Sequence, residues 1–239
     1  MVSLVYVCVR PEQGAATAEH ASFRRGLGVD ALARLDLVST PLDAAALDAY
    51  DGVVIGGSPF NVTDAEKSPA QQRIETDLER IAARALSGGP ATMFTCYGIG
   101  VVTRMLGGAL TLAHAESTRA AEITTTDAGA SDALFAGSAP ALRVFTAHKE
   151  SALDVPPGAE LLATNDDCPV QAYRAGDRLW ATQFHPEPSP RDFADRMTFY
   201  RENGYFSNEH YDAVEAEVLA ARVDGAALLG RFAARAAHS

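Results

Sequence analysis

Cysteine, tryptophan and basic side chains are all scarce in this chain. Its 239 residues include three cysteines, Cys8, Cys96 and Cys168. An odd number of scattered cysteines builds no disulfide framework, so a reducing, cytoplasmic setting fits best. Lysine and arginine number 20 against 31 aspartates and glutamates, a formal net charge of −11. Such an acidic balance argues against the basic patch that a nucleic acid or an anionic membrane requires. No apolar run reaches the ~18–20 residues of a membrane span. Met1–Arg10 is apolar but short, with no basic stretch and no small-residue cleavage site, and reads as a buried strand rather than a secretory leader. There is no phosphate-binding P-loop. Gly98-x-Gly100 fails as a dinucleotide fingerprint because the third glycine position falls on Thr103. What is present is a chain 47% hydrophobic, enough to bury a full core.

Strand-like and helix-like patterns alternate along the first half. Val2 to Val9 is a β-rich run of the kind buried on both faces of a parallel sheet. Thr17 to Arg25 is weakly helical, and Leu32 to Val38 alternates as a strand. Asp43 to Tyr50 reads as a short helix capped by Asp43. Asp51 to Gly57 is a third strand ending in glycines. Ser68 to Leu86 has apolar positions at helical spacing, with Ser68-Pro69 as cap and first turn. Ala91 to Thr95 is a strand, and Tyr97 to Leu106 a helix stopped by Gly107-Gly108. From Ala109 to Phe184 short strands dominate, with a hairpin across Ala175-Gly176-Asp177. Pro190 to Ser239 returns to helix in about three pieces, broken near Gly204 and at Asp224-Gly225. The pattern predicts an α/β domain over 1–189 with a helical C-terminal extension over 190–239 packed on it.

Three short segments carry chemistry. In Ala91–Gly100 an apolar strand stops at Cys96 and restarts in a helix with Gly98 and Gly100. A sulfur at a helix N-terminus is favoured as thiolate, and the N–H groups there can hold an oxyanion. In Gln183-Phe184-His185-Pro186-Glu187, an extended backbone sets His185 and Glu187 on one side, where the carboxylate can fix the imidazole tautomer. Gly56-Gly57-Ser58-Pro59 ends the third strand, where a backbone N–H can face a crevice at the carboxyl ends of parallel strands. Read singly, each has a structural alternative: a core cysteine, a satisfied core histidine or metal-site fragment, and an ordinary turn. His114, His148 and Cys96 show no metal-ligand spacing, and no metal is expected. Cys168, before Pro169 and without a glycine turn, reads as structural.

In this order the three segments resemble the class I glutamine amidotransferase family of the Cys-His-Glu type, with the closest likeness to the glutaminase domain of GMP synthase. Leu153–Ala163 and Pro169–Tyr173 share that likeness, which spans about Val2 to Glu187. The resemblance implies an open, mostly parallel sheet in a flavodoxin-like αβα sandwich. It implies that Cys96 attacks the carboxamide of glutamine to form a thioester, that His185 is the general base and acid, and that Glu187 orients it. The N–H groups of Gly57 and Tyr97 would form the oxyanion hole, and Gly56, Ser58, Gly100, His148, Lys149 and Glu150 would line the substrate site. No cofactor is implied. Ammonia would pass to a separate synthetase acting in trans, and a homodimer is an option.

The chain departs from the family at two places. The family pattern G-x-C-x-G-x-Q has Phe94 at its first position and Gly100 at its last, where a glutamine would help hold the substrate's amino-acid end. A Ser-His-Gly-Asp-like segment reads Ala147-His148-Lys149-Glu150. Lys149 and Glu150 either take over substrate contacts or are solvated loop charges. A site that loses a buried hydrogen-bond partner discriminates less for the group it read. Hydrolysis of another γ-glutamyl or small amide, and a catalytically silent binding module, are therefore alternatives to glutamine hydrolysis. The aromatics of the extension, Phe193, Phe199, Tyr200, Tyr205, Phe206 and Tyr211, suit packing on the domain, an interface between subunits or a lid.

Overall fold

The computed structural model of the chain describes residues 2–201 and 208–238. In order come β1 (Leu4–Cys8), α1 (Gln13–Gly26), β2 (Ala33–Asp36), a 3-10 turn (Ala44–Ala49), β3 (Gly52–Ile55), α2 (Pro69–Leu86), β4 (Ala91–Thr95) and α3 (Tyr97–Met105). Then follow β5 (Leu110–Thr111), β6 (Glu116–Thr125), α4 (Asp127–Ser131), β7 (Ala141–His148), β8 (Ser151–Ala152), β9 (Ala159–Thr164), β10 (Ala172–Ala175) and β11 (Leu179–Thr182). The chain continues through α5 (Pro190–Thr198), a second 3-10 turn (Asn208–His210), α6 (Tyr211–Ala220) and α7 (Ala226–Ala236).

Nine strands form one open sheet in the order β2-β1-β3-β4-β11-β10-β9-β6-β7. Neighbours from β2 to β11 run parallel, and β10, β9, β6 and β7 extend the sheet antiparallel. Period-two alternation in β1 explains how helices cover both faces. Leu4, Tyr6 and Cys8 join one core with Phe23 of α1 and Leu228 and Phe232 of α7. Val5, Val7 and Val9 join the other with Ile74 and Leu78 of α2 and Val101 of α3. This is the αβα sandwich the resemblance implied.

The local expectations hold with shifted ends. Asp43 caps its turn through Ala45 N, but the segment is a 3-10 helix. Ser68 caps α2 through Gln71 N, with Pro69 in the first turn. The weak helix of Thr17–Arg25 begins earlier, at Gln13, because the Glu12 side chain accepts from Gly14 N and caps it. The hairpin pairs β10 with β11 from Ala172↔Thr182 to Ala175↔Leu179. The helix break at Asp224-Gly225 lies between α6 and α7, whereas the expected break near Gly204, and Tyr205 and Phe206, lie outside the described residues.

Beyond residue 189 the described residues pack back on the sheet and on the His-Pro-Glu segment. Phe193 of α5 stacks on Phe145 of β7, ring centroids 4.4 Å apart, beside Met197, Tyr211 and Val218. Phe232 of α7 meets Trp180 of β11 edge-on at 6.3 Å. Gly225 abuts Pro186 so closely that a Cβ would lie 2.7 Å from its backbone; α7 thus begins against the His-Pro-Glu segment. Among the described residues, no helix is long and apolar enough to cross a membrane.

Candidate active site

β4 delivers Cys96 at the carboxyl edge of the sheet, and the chain turns there into α3. Cys96 has φ 51° and ψ −104°, the one positive φ at a non-glycine among the described residues. Such a backbone costs about 1–3 kcal/mol and persists only where its surroundings over-determine it. Here they do: Cys96 N donates to Thr182 O of β11 at 2.8 Å, and Thr95 Oγ1 donates to Ile55 O of β3 at 2.8 Å. The sulfur lies 3.8 Å from Ala147 O and is almost fully buried.

β11 delivers the imidazole. His185 N donates to Phe145 O at 2.8 Å, and its Nδ1 lies 3.0 Å from Glu187 Oε1. The Cys96 sulfur lies close enough to the His185 ring to favour its protonated form. Gly57 gives a second measure of their convergence: a Cβ there would stand 2.7 Å from His185 Cε1 and 3.5 Å from Cys96 Cβ. A side chain at position 57 would displace the imidazole. Burial alone would push the His185 proton off, but the Glu187 charge and the Cys96 sulfur outweigh it and raise the pKa to about 9. Burial likewise opposes the Glu187 charge, yet His185 and Arg196 hold its carboxyl down at about 2.

The corner after β3 is arranged differently from expectation. Gly57 N donates to Glu19 Oε1 at 3.2 Å, so this donor is held by a buried carboxylate rather than turned to the sulfur. Gly56 packs on the same carboxylate, where a Cβ would be 2.1 Å from Glu19 Oε2. Ser58 lines the crevice beside Cys96, and its hydroxyl donates to Val9 O at 2.9 Å. The Tyr97 side chain leaves the crevice to donate to Glu75 Oε1 at 3.0 Å, so any part it plays at the sulfur is through its backbone N–H.

The turn after β7 covers the other side. Pairing of β5 with β8 places it over α3. Glu150 is no solvated loop charge: it is 5% exposed and accepts from Val62 N at 2.7 Å, Thr63 N at 2.8 Å and Thr63 Oγ1 at 2.8 Å. Burial raises its pKa despite these donors. It fills the space left by Gly100, where a Cβ would sit 3.0 Å from Glu150 Oε1 and 3.2 Å from Val62 Cγ2. His148 is turned away from the sulfur, with Nδ1 3.0 Å from Glu150 O and Nε2 2.9 Å from Glu116 Oε2. Lys149 lines the crevice with Phe60, Asn61 and Gln183. The crevice has a volume of about 10 Å³. That is room for about one water, so a substrate must widen it.

Sequence reading missed Glu19, Arg10 and Arg196. Glu19 is buried and accepts from Tyr6 OH at 2.7 Å, Arg10 Nη2 at 2.8 Å and Arg196 Nη1 at 3.3 Å. Arg196 Nη1 also donates to Glu187 Oε1 at 2.7 Å. A glutamate on a weakly helical segment carries no local mark of burial. Arg196 had a detectable signal, being on the same face of α5 as Phe193 and Met197.

Among the described residues, two groups of side chains approach metal-ligand spacing: Glu19, His185 and Glu187, and Glu116, His148 and Cys168, each with ligand atoms within 4.8 Å of one another. Arg196 already donates to both carboxylates of the first group. In the second, Glu116 accepts from Gln171, Asn165 and Arg119 besides facing His148, and burial pushes the Cys168 thiol up to about 12. Both groups are hydrogen-bond hubs with donors at the ligand oxygens.

Fold and site together define an open αβα protein with a cysteine on a strained strand-to-helix turn facing a His-Glu pair. The family model for glutamine amidotransferase class-I matches residues 17–202, and the chain belongs to that family. The GMP synthase (glutamine-hydrolyzing) of Xanthomonas oryzae pv. oryzae is 33% identical over 142 residues, 57% of this chain and 25% of that protein. The chain therefore spans about a quarter of that relative's length. A shorter relative, one subunit of the GMP synthase (glutamine-hydrolyzing) of Methanothermobacter thermautotrophicus, is 27% identical over 150 residues, 62% of this chain and 72% of that protein. The crystal structure of a glutamine amidotransferase from Thermotoga maritima superposes with a TM-score of 0.74 at 18% identity, covering 100% of both chains. At that identity the likeness shows the fold.

Proposed function

We propose that this protein hydrolyses the side-chain amide of glutamine through a thioester on Cys96. The reading is carried by one observation: Cys96, strained at its turn, and His185 converge on Gly57, and His185 Nδ1 is 3.0 Å from buried Glu187. With its pKa raised to about 9, His185 already holds the proton of the Cys96 thiol, and the thiolate attacks the carboxamide carbon. The tetrahedral oxyanion is held by the Tyr97 N–H and a backbone N–H of the Gly57–Ser58 corner. If Gly57 supplies that donor, its N–H must first leave Glu19. His185 then protonates the departing nitrogen, ammonia leaves, and a thioester remains. Water, deprotonated by His185, attacks the thioester and releases glutamate, which restores the thiolate and the imidazolium. Glu187 holds the ring orientation throughout and stabilises the imidazolium. Ammonia goes to a synthetase subunit in trans, in keeping with the relatives named as GMP synthases.

A second reading is that the preferred substrate is a different γ-glutamyl amide. Its support is the Gly100 and Glu150 pair, in which a carboxylate occupies the space of the family's substrate-holding glutamine. Ammonia release by the purified protein, over a panel of glutamine and γ-glutamyl amides, tests both. Glutamine outperforming the panel, with all release lost in Cys96→Ala, supports the first reading. A better alternative amide supports the second. Release that survives Cys96→Ala refutes both.

A further inference from the structure

We propose that Arg196 and Glu19 are positioning residues that hold Glu187, and through it His185, in register with Cys96. The inference extends the proposed Cys96 chemistry to a part of the chain beyond the His-Pro-Glu segment. Arg196 projects from α5 on the face that packs Phe193 and Met197. Its Nη1 alone makes the connection, 2.7 Å from Glu187 Oε1, 3.3 Å from Glu19 Oε1 and 3.4 Å from His185 Nδ1 itself. Arg196 Nε and Nη2 are buried and find no hydrogen-bond partner among the described residues. Glu19 comes from α1 and is fixed in turn by Tyr6, by Arg10 and by the N–H of Gly57. One carboxylate thus joins β1, the corner after β3, and α5 at the back of the catalytic imidazole.

The energetics favour a positional over a stabilising role. The side chains of Glu19 and Glu187 are 0% exposed, Arg196 is 5% and Arg10 6%. Two carboxylates and two guanidiniums taken from water lose hydration that their attraction barely returns, and apolar replacements of similar volume are often neutral or stabilising. What this arrangement supplies is a fixed place for Glu187 and a balanced charge behind His185. The charged and titratable groups around His185 are Cys96, Glu187 and Arg196, with Glu19 and Arg10 behind them.

Balance gives the test its direction. Arg196→Met removes a positive charge, so the imidazolium becomes easier to hold and the thiolate harder to form. Glu19→Gln removes a negative charge with little change of shape, so both effects reverse. The pH profile of iodoacetamide labelling of Cys96 reads this without any substrate. Both limbs should move up by about one pH unit in Arg196→Met and down in Glu19→Gln, a shift typical of one charge within ~4–6 Å. Arg196→Lys should restore much of the wild-type profile, because a single donor atom makes the link. Circular dichroism and thermal melts confirm that each variant is folded; where Arg196→Met is not, a downward shift in Glu19→Gln with Arg196→Lys staying near the wild-type profile decides. Limbs that stay in place, or move in the same direction in both charge-removing variants, overturn the proposal. Wild-type protein that labels with these limbs but leaves glutamine intact refutes the hydrolysis reading while the positioning inference stands.

Discussion

Restoring the family's glutamine at position 100 should destabilise this protein. Gly100 lies inside α3, where replacing glycine relieves about 0.5–1 kcal/mol of backbone entropy. Against that, the new Cβ would be 3.0 Å from Glu150 Oε1 and 3.2 Å from Val62 Cγ2, before the rest of the side chain is placed. Overpacking of this kind costs about 1–3 kcal/mol. The side chain would also push Glu150 off Val62 N, Thr63 N and Thr63 Oγ1, now at 2.7, 2.8 and 2.8 Å. Hydrogen bonds to a charged acceptor are worth about 1.5–3 kcal/mol each, and loss of one is enough to dominate. The sum is a net loss of about 3 kcal/mol. Urea unfolding of Gly100→Gln, Glu150→Ala and the double variant measures it as a cycle. The two substitutions should couple, with the double variant more stable than the singles add up to. A Gly100→Gln protein as stable as wild type, or strict additivity, refutes the claim that Glu150 occupies the missing side chain's space.

Glu187→Gln should lower activity by about 10²–10⁴-fold and move the basic limb of kcat/KM down from near pH 9, because the charge that keeps His185 protonated is gone. A limb that stays in place would count against Glu187 as the partner of His185. Burial disfavours the Glu116 carboxylate, but His148, Asn165 and Arg119 draw its pKa to about 2. A depressed carboxyl contributes stability that is present above its ordinary value of about 4.5 and lost as pH falls through 2. That contribution is about 3 kcal/mol, and acid unfolding of Glu116→Gln should be flatter over this window. Phe232→Ala should cost about 3–5 kcal/mol, read by urea denaturation, because its ring is fully buried against Trp180. A cost below about 1 kcal/mol would show that α7 is not part of the core.

The parts of this molecule legible in its sequence are those whose signal is local. The apolar run into Cys96, the glycines after it, and the extended His-Pro-Glu segment each state a conformation within a few residues. The caps at Asp43 and Ser68 were readable for the same reason. Glu19 illustrates what is not local. Its burial depends on Arg10, at the end of the first strand, and on Arg196 in α5, 177 residues away. Nothing beside Glu19 distinguishes it from a solvated helix residue. The orientation of Gly57 N follows from Glu19 and was hidden with it. Glu150 was ambiguous because a charged loop residue looks alike whether water or backbone N–H groups surround it.

The central claim is that sulfur at Cys96 becomes acylated by glutamine. Mass spectrometry of protein mixed with glutamine and quenched in acid tests it directly. The account predicts a glutamyl group on the Cys96 peptide, formed at the rate of the first ammonia released, and no adduct or ammonia from Cys96→Ala. Ammonia release with Cys96 unmodified at every time point, and undiminished in Cys96→Ala, would contradict it.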